Sequence, residues 1–283
     1  MTFYPTSINF NLKMYFFQIH FHISSHIFYI KEEQTGFFMK KYRADELLCL
    51  RGHCGSKEEA AILIMAGKVR TSPDAVVRKP SDMLSAETPL LVDSSCPYVS
   101  RGALKLKDAL EKHAPDLTGC ICGDVGASTG GFTDLMLSKN AAKVYAIDVG
   151  KGLLHWKLRT DKRVEVREGI NAKELSKEIV PEELDVLVMD VSFISCTKIL
   201  PAADTLMKKN ALAFILVKPQ FEAPKHLVPP GGVITDENVR QDCLKKVCDF
   251  VASNLPWELV DVSDSPLKGP KGNLEFVAHF MKK

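Results

Sequence analysis

The sequence carries almost no net charge: 37 Lys and Arg stand against 35 Asp and Glu, a formal +2 over 283 residues. A whole-molecule field of one sign is excluded, so a polyanionic partner has to be met by a local patch. No CxxC pair occurs among the eight cysteines. Cys49/Cys54 and Cys243/Cys248 each enclose four residues, and Cys120/Cys122 alternate in an expected strand. Without thiolates at ligand spacing no zinc or other metal site is expected. All eight read as reduced thiols of a cytoplasmic protein. An uninterrupted apolar run of the roughly 20 residues that span a bilayer is also missing. The nearest candidate, "NLKMYFFQIHFHISSHIFYI", is broken by Gln18, His20, His22, Ser24, Ser25 and His26. No small-residue cleavage site of the secretory type follows it.

What is present is an ordinary globular composition, 46% apolar and 25% charged, with length for one large domain and a smaller one. Residues 1–38 depart from it, crowding Phe10, Phe16, Phe17, Phe21, Phe28, Tyr29, Phe37 and Phe38 into a stretch without helical or alternating period. Its three histidines have no carboxylate or thiolate partners. This stretch is read as an extension outside the fold, with the working protein starting near Met39.

Residues 39–98 read as a small α+β module and linker. Leu47, Leu48 and Leu50 mark one helical face, which Gly52 or Gly55 can end. Ser56 is a helix N-cap with Glu59 as its capping-box partner. Ala60, Ala61, Ile64 and Met65 form the apolar side of a second helix closed by Gly67, and "KVR" opens a strand. With Arg43, Asp45, Leu47, Leu48, Gly52, Ser56, Lys57, Ala60, Ile64, Gly67 and Val69 in place, the module resembles the S4 RNA-binding domain. "RTSPDAVVRKP" stands where that family usually has an Asn-Gly turn. Arg43, Lys57, Lys68, Arg70, Arg78 and Lys79 are the candidate phosphate contacts, diluted by Glu58, Glu59 and Asp74.

From Cys120 onward the chain alternates. "CICGDV", "KVYAIDV", "VEVRE", "LDVLVMD", "ALAFILVK", "WELVDVS" and "LEFVAHFM" are seven strand candidates. Helices are expected at Gly131–Ser138, Ala172–Glu178, Thr197–Met207 and Glu237–Ser253. Strands alternating with helices imply crossover connections, hence an α/β fold with a mostly parallel sheet. The first five strands are apolar enough for burial on both faces. The last two, joined by "SDSPLKGPKGN", suit an antiparallel pair at one edge.

"GDVGASTGGFTD" joins the first strand to its helix. Ligands of open parallel sheets sit beyond the carboxyl ends of the strands, where the strand order reverses. The loop lacks the G-x-G-x-x-G spacing of dinucleotide sites, and Asp124 in front of it would repel a pyrophosphate but welcome an ammonium. Asp148 ends the next strand, placed to accept ribose hydroxyls. An amino acid's ammonium at one carboxylate and a ribose at the next describe S-adenosylmethionine.

The region as a whole resembles FtsJ-like methyltransferases. With the module in front it is similar to the TlyA-type family of ribosomal RNA methyltransferases, also named haemolysins. "SRGALKL", "DVGASTGGFTD", "AIDVGKGLLHWKLR", "MDVSFIS", "VKPQFE" and "SPLKGPKGNLEF" carry the resemblance. It implies a Rossmann-like methyltransferase with a seven-stranded, mostly parallel sheet over residues 99–283. It also implies that S-adenosylmethionine meets Asp124, Gly126, Ser128, Thr129, Gly130, Gly131, Phe132, Asp148, Val149, Asn171 and Asp190. Ribose 2′-O-methylation would fall to Lys105, Asp190, Lys218 and Glu275, with Lys218 as the base, and Arg101 would join the RNA contacts. The implied partner is ribosomal RNA or a ribosomal subunit, with a cytidine as the target, and neither metal nor membrane. The alternatives are a membrane-active haemolysin, for which the chain from Met39 offers no spanning helix, and a silent S4 RNA-binder, against which the intact tetrad argues.

Overall fold

The computed structural model describes residues 40–93 and 96–283, so the expectation for residues 1–38 lies outside the described residues. In the N-terminal module, β1 (Lys41–Arg43) leads into α1 (Ala44–Leu50), and α2 (Lys57–Met65) follows. Ser56 caps α2 as expected, its side chain accepting from the Glu59 amide, while Glu59 reaches back to the amide of Gly55. The strands β2 (Val69–Ser72), β3 (Ala75–Val76), β4 (Met83–Ser85) and β5 (Leu91–Val92) complete the module. Ala44, Leu47, Leu48, Ala60, Ile64 and Val69 form its core. Leu50 departs from the expected apolar face and is exposed, because it falls at the last turn of α1 and points off the α1–α2 seam.

Next comes α3 (Ala103–His113), which the search for alternation passes over. It buries Ala103, Leu106 and Leu110 at helical spacing and turns Lys107 and Glu111 outward. The alternating part then runs β6 (Ile121–Val125), α4 (Gly131–Ser138), β7 (Lys143–Asp148), α5 (Trp156–Arg159) and β8 (Val164–Glu168). It continues with β9 (Leu184–Met189), α6 (Leu200–Asp204), β10 (Met207–Val217), α7 (Pro219–Glu222), α8 (Glu237–Asn254), β11 (Trp257–Asp264) and β12 (Phe276–Lys282). All seven expected strands form one sheet in the order β11-β12-β10-β9-β6-β7-β8. The five from β10 to β8 are parallel, and β12 runs antiparallel between β10 and β11.

Period-two alternation sorts β10 between two cores. Ala213, Ile215 and Val217 pack with α6 and α8, while Phe214 and Leu216 pack with α3 and α4. Two expected helices are shorter than the sequence suggested. Ala172–Glu178 is a single 3-10 turn over Ala172–Glu174, and Ser176 begins another turn, its carbonyl accepting from the amides of Ile179 and Val180. Thr197–Met207 divides because Pro201 has no amide to donate: a 3-10 turn at Cys196–Lys198 stops and α6 starts afresh, leaving Met207 to open β10. The long helix runs as expected, capped by Asp236 on the amides of Asn238 and Val239.

Candidate active site

The chain leaves β6 toward β7 and β8 on one side and places β9 and β10 on the other, so the strand order reverses between β6 and β9. Asp124 near the end of β6 and Asp190, just after β9, therefore lie on neighbouring strands at the switch point. Lys218 follows β10, Glu275 precedes β12 and Lys105 comes from the first turn of α3. Four charges far apart in sequence meet in a row. Lys218 is ion-paired with Asp190, whose other oxygen lies 3.9 Å from Lys105 Nζ, and Lys105 donates to Glu275 Oε2 at 2.6 Å. Lys218 also donates to Ser192 Oγ at 2.9 Å, and Gln220 Nε2 donates to Glu275 Oε1 at 3.2 Å.

Burial shapes these charges. It would raise the Asp190 carboxyl, but Lys218 and then Lys105 outweigh it and hold Asp190 below its usual range. Burial would lower the Lys105 ammonium, yet Asp190 and Glu275 together raise it. Lys105 is thus held as a cation at neutral pH.

Asp124 is buried completely. Its Oδ2 takes both the amide and the hydroxyl of Thr133, at 2.9 and 2.7 Å, and its Oδ1 has no partner. Burial, with Asp190 and Asp148 adding to it against the Thr133 hydrogen bonds, pushes the carboxyl up to about 7. A buried oxygen without a donor, in the wall of a cavity of about 560 Å3, fits a cationic ligand group such as an ammonium. Asp148 is more occupied than its sequence position suggests: Oδ2 accepts from the Ser128 amide and Oδ1 from the Gly150 amide. Each oxygen retains a lone pair for a hydroxyl donor.

Protein contacts account for much of the bareness of the glycine loop. A Cβ on Gly126 (φ 89°) would lie 2.5 Å from the carbonyl oxygen of Asp190, and one on Gly131 would lie 2.8 Å from the Ala103 amide nitrogen. These positions let β9 and the start of α3 close onto the loop. Ser128 (φ 50°) and Thr129 line the cavity, Phe132 borders it while packing in the core, and Val149 is exposed beyond β7. Asn171 caps the turn after β8 through the Lys173 amide.

The cavity is walled on its other side by Met65, Gly67, Val76 and Arg78 of the N-terminal module and by the loop Leu267–Gly272. The module is held there by the Arg101 amide, which donates to the Ala66 carbonyl at 3.4 Å. Arg78 and Arg101 border the cavity; Arg43, Lys57, Lys68, Arg70 and Lys79 are not part of its lining. Arg43 is paired with Asp45, Lys57 with Glu46, and Arg70 donates to the Pro73 carbonyl.

The FtsJ-like methyltransferase family model matches residues 98–282. The 16S/23S rRNA (cytidine-2′-O)-methyltransferase TlyA of Mycobacterium tuberculosis is 45% identical over 239 residues, 84% of this chain and 88% of the relative. The chain belongs to the TlyA-type family of FtsJ-like methyltransferases. Hemolysin A of Brachyspira hyodysenteriae, 39% identical, is covered over 99% of its length and 84% of this chain. The solved structure of a candidate hemolysin from Streptococcus thermophilus superposes with a TM-score of 0.67 at 35% identity, over 87% of this chain and 90% of that one. Among the described residues no helix is long and apolar enough to cross a membrane, and no His, Cys, Asp and Glu side chains cluster as a metal site.

Sequence reasoning missed two side chains at this candidate site. Ser192 lies inside the quoted "MDVSFIS", yet only the folded chain puts its hydroxyl on Lys218. Phe193, in the same motif, is 92% exposed at φ 65°, a backbone state that a bulky residue rarely adopts. Its one available signal was an aromatic three residues after the strand-end carboxylate Asp190.

Proposed function

We propose that this protein transfers a methyl group from S-adenosylmethionine to a ribose 2′-hydroxyl of ribosomal RNA, with a cytidine as the target and the cytoplasm as the site of action. The observation that carries this reading is the row Lys218–Asp190–Lys105–Glu275, assembled beside a buried Asp124 with one oxygen free. S-adenosylmethionine supplies an electrophilic methyl on sulfonium, so the chemistry left to the protein is to orient a hydroxyl and remove its proton. Asp124 Oδ1 would hold the amino acid's ammonium, and Asp148, kept in place by two backbone amides, would accept from the ribose.

Lys218, in its neutral amine form, is the group assigned to take the 2′-hydroxyl proton, with its nitrogen placed by Asp190 and Ser192. Lys105, held protonated by its two carboxylates, orients the same oxygen through a charge-assisted hydrogen bond. Glu275 holds Lys105 from behind and is itself held by Gln220. Proximity in the cavity supplies much of the remaining rate. The relatives' names point to ribosomal RNA, and the S4-like module that walls the cavity with Arg78 suits a polyanion. Phe193 offers a face on which an unstacked base can lie.

Mapping 2′-O-methyl groups in ribosomal RNA from cells with and without this protein tests the reading. A position that loses its methyl group with the protein supports it; identical maps contradict it.

A further inference from the structure

We propose that Glu222 is a positioning residue for this reaction, fixing the far end of the loop at residues 191–195 so that Phe193 is presented beside Ser192 and Lys218. The inference rests on the methyltransferase reading above but assigns a role to a residue outside the tetrad. Phe193 combines near-complete exposure with a positive φ, so core burial does not hold it in this state. Its ring meets Phe221 with centroids 5.2 Å apart. Strained backbone persists only where its surroundings over-determine it, and the constraint here comes from α7, the short helix directly after Lys218.

Glu222 ends α7 and is 4% exposed. Its Oε1 accepts from the Cys196 amide at 2.7 Å, and its Oε2 accepts from Ser195 Oγ at 2.5 Å. Lys246 of α8 neutralises the carboxylate, donating to Oε2 at 3.3 Å and to the Glu222 carbonyl at 2.7 Å. The far end of the loop is therefore tied to α7 by both carboxylate oxygens. Its near end is tied by Ser192, whose hydroxyl accepts from Lys218. Phe193 lies between the two ties, and the same four-residue helix carries Phe221 under its ring. A buried carboxylate that bonds to the far end of this loop and to α8 acts on substrate through Phe193 rather than directly.

The test is a double-mutant cycle in steady-state methylation of ribosomal RNA by the full chain, with Glu222→Gln, Phe193→Ala and the two combined. Phe193→Ala is expected to raise the KM for RNA about tenfold, within the range for losing one base–aromatic stack. Glu222→Gln, whose amide nitrogen faces Lys246, should raise that KM about threefold to tenfold. It should leave the S-adenosylmethionine Kd and kcat nearly unchanged and add nothing in the Phe193→Ala background. A KM unchanged by Glu222→Gln, or two effects that multiply fully, overturns the proposal. Ser195→Ala, which removes one arm of the clamp, should move KM in the same direction, and no change there counts against it if Glu222→Gln does not fold. Amide hydrogen exchange at Cys196, faster in Ser195→Ala than in the native chain, reads the anchor without substrate; equal protection contradicts it. A native protein that leaves ribosomal RNA unmethylated overturns the proposed function instead, and the exchange measurement then decides the anchoring alone.

Discussion

Asp124→Asn should stabilise the free protein while weakening its hold on S-adenosylmethionine. The carboxyl is raised from 3.8 to about 7 by complete burial, so the folded chain keeps its proton over a pH range in which the unfolded chain has lost it. The stability linked to this group is fully present below about pH 4 and is lost as pH rises through about 7. A difference of that size corresponds to about 4 kcal/mol by pH 8. Asparagine removes the charge and can still accept from both Thr133 donors through its amide oxygen. Its amide nitrogen then replaces the oxygen that has no partner, at a cost of about 1–3 kcal/mol. The net gain should be about 1–3 kcal/mol at pH 8 and smaller at pH 5.5. Urea unfolding at the two pH values reads it through the midpoint at constant slope. Calorimetric titration of the same variant should show S-adenosylmethionine binding weakened by about 1.5–3 kcal/mol, the range for a charged hydrogen bond. A stability change equal at both pH values, or an unchanged Kd, would refute the assignment of the free oxygen.

Three further outcomes follow from the same geometry. Lys218→Arg should lose activity nearly as completely as Lys218→Ala, about 10²–10⁴-fold in single-turnover rate, because a guanidinium stays protonated; a substantially active arginine variant would remove Lys218 as the base. Asp148→Ala should weaken S-adenosylmethionine binding by about 1–3 kcal/mol in a calorimetric titration; an unchanged Kd in a folded variant would remove the ribose assignment. Arg78→Glu should raise the KM for RNA and flatten its salt dependence without altering S-adenosylmethionine affinity, since Arg78 borders the cavity from the module side; an unaltered salt slope would take Arg78 off the RNA path.

The sheet was legible because β6, β7, β9 and β10 are apolar on both faces and are separated by helix-forming stretches, a local pattern that survives in the folded chain. The tetrad was legible only through its motifs, since nothing local to Lys105 or Glu275 says that 170 residues of separation close to 2.6 Å. The glycine loop was placed correctly, but much of its bareness serves protein contacts: Gly131 makes room for the amide of Ala103, which belongs to a helix that the alternation pattern does not reveal. The free oxygen of Asp124, the strained state of Phe193 and the burial of Glu222 depend on which distant donors arrive. No spacing in the sequence encodes such a deficit. The stretch Thr197–Met207 read as one helix although Pro201 stands inside it; the missing amide divides it.

The central claim is that a ribose hydroxyl of ribosomal RNA receives the methyl group. The most direct test is nucleoside analysis by mass spectrometry of ribosomal RNA incubated with the purified full chain and S-adenosylmethionine carrying a labelled methyl group. The account predicts label in 2′-O-methylcytidine with the native protein and none with Lys218→Ala. Label on a base, or no label with the native protein on either ribosomal subunit, would contradict it.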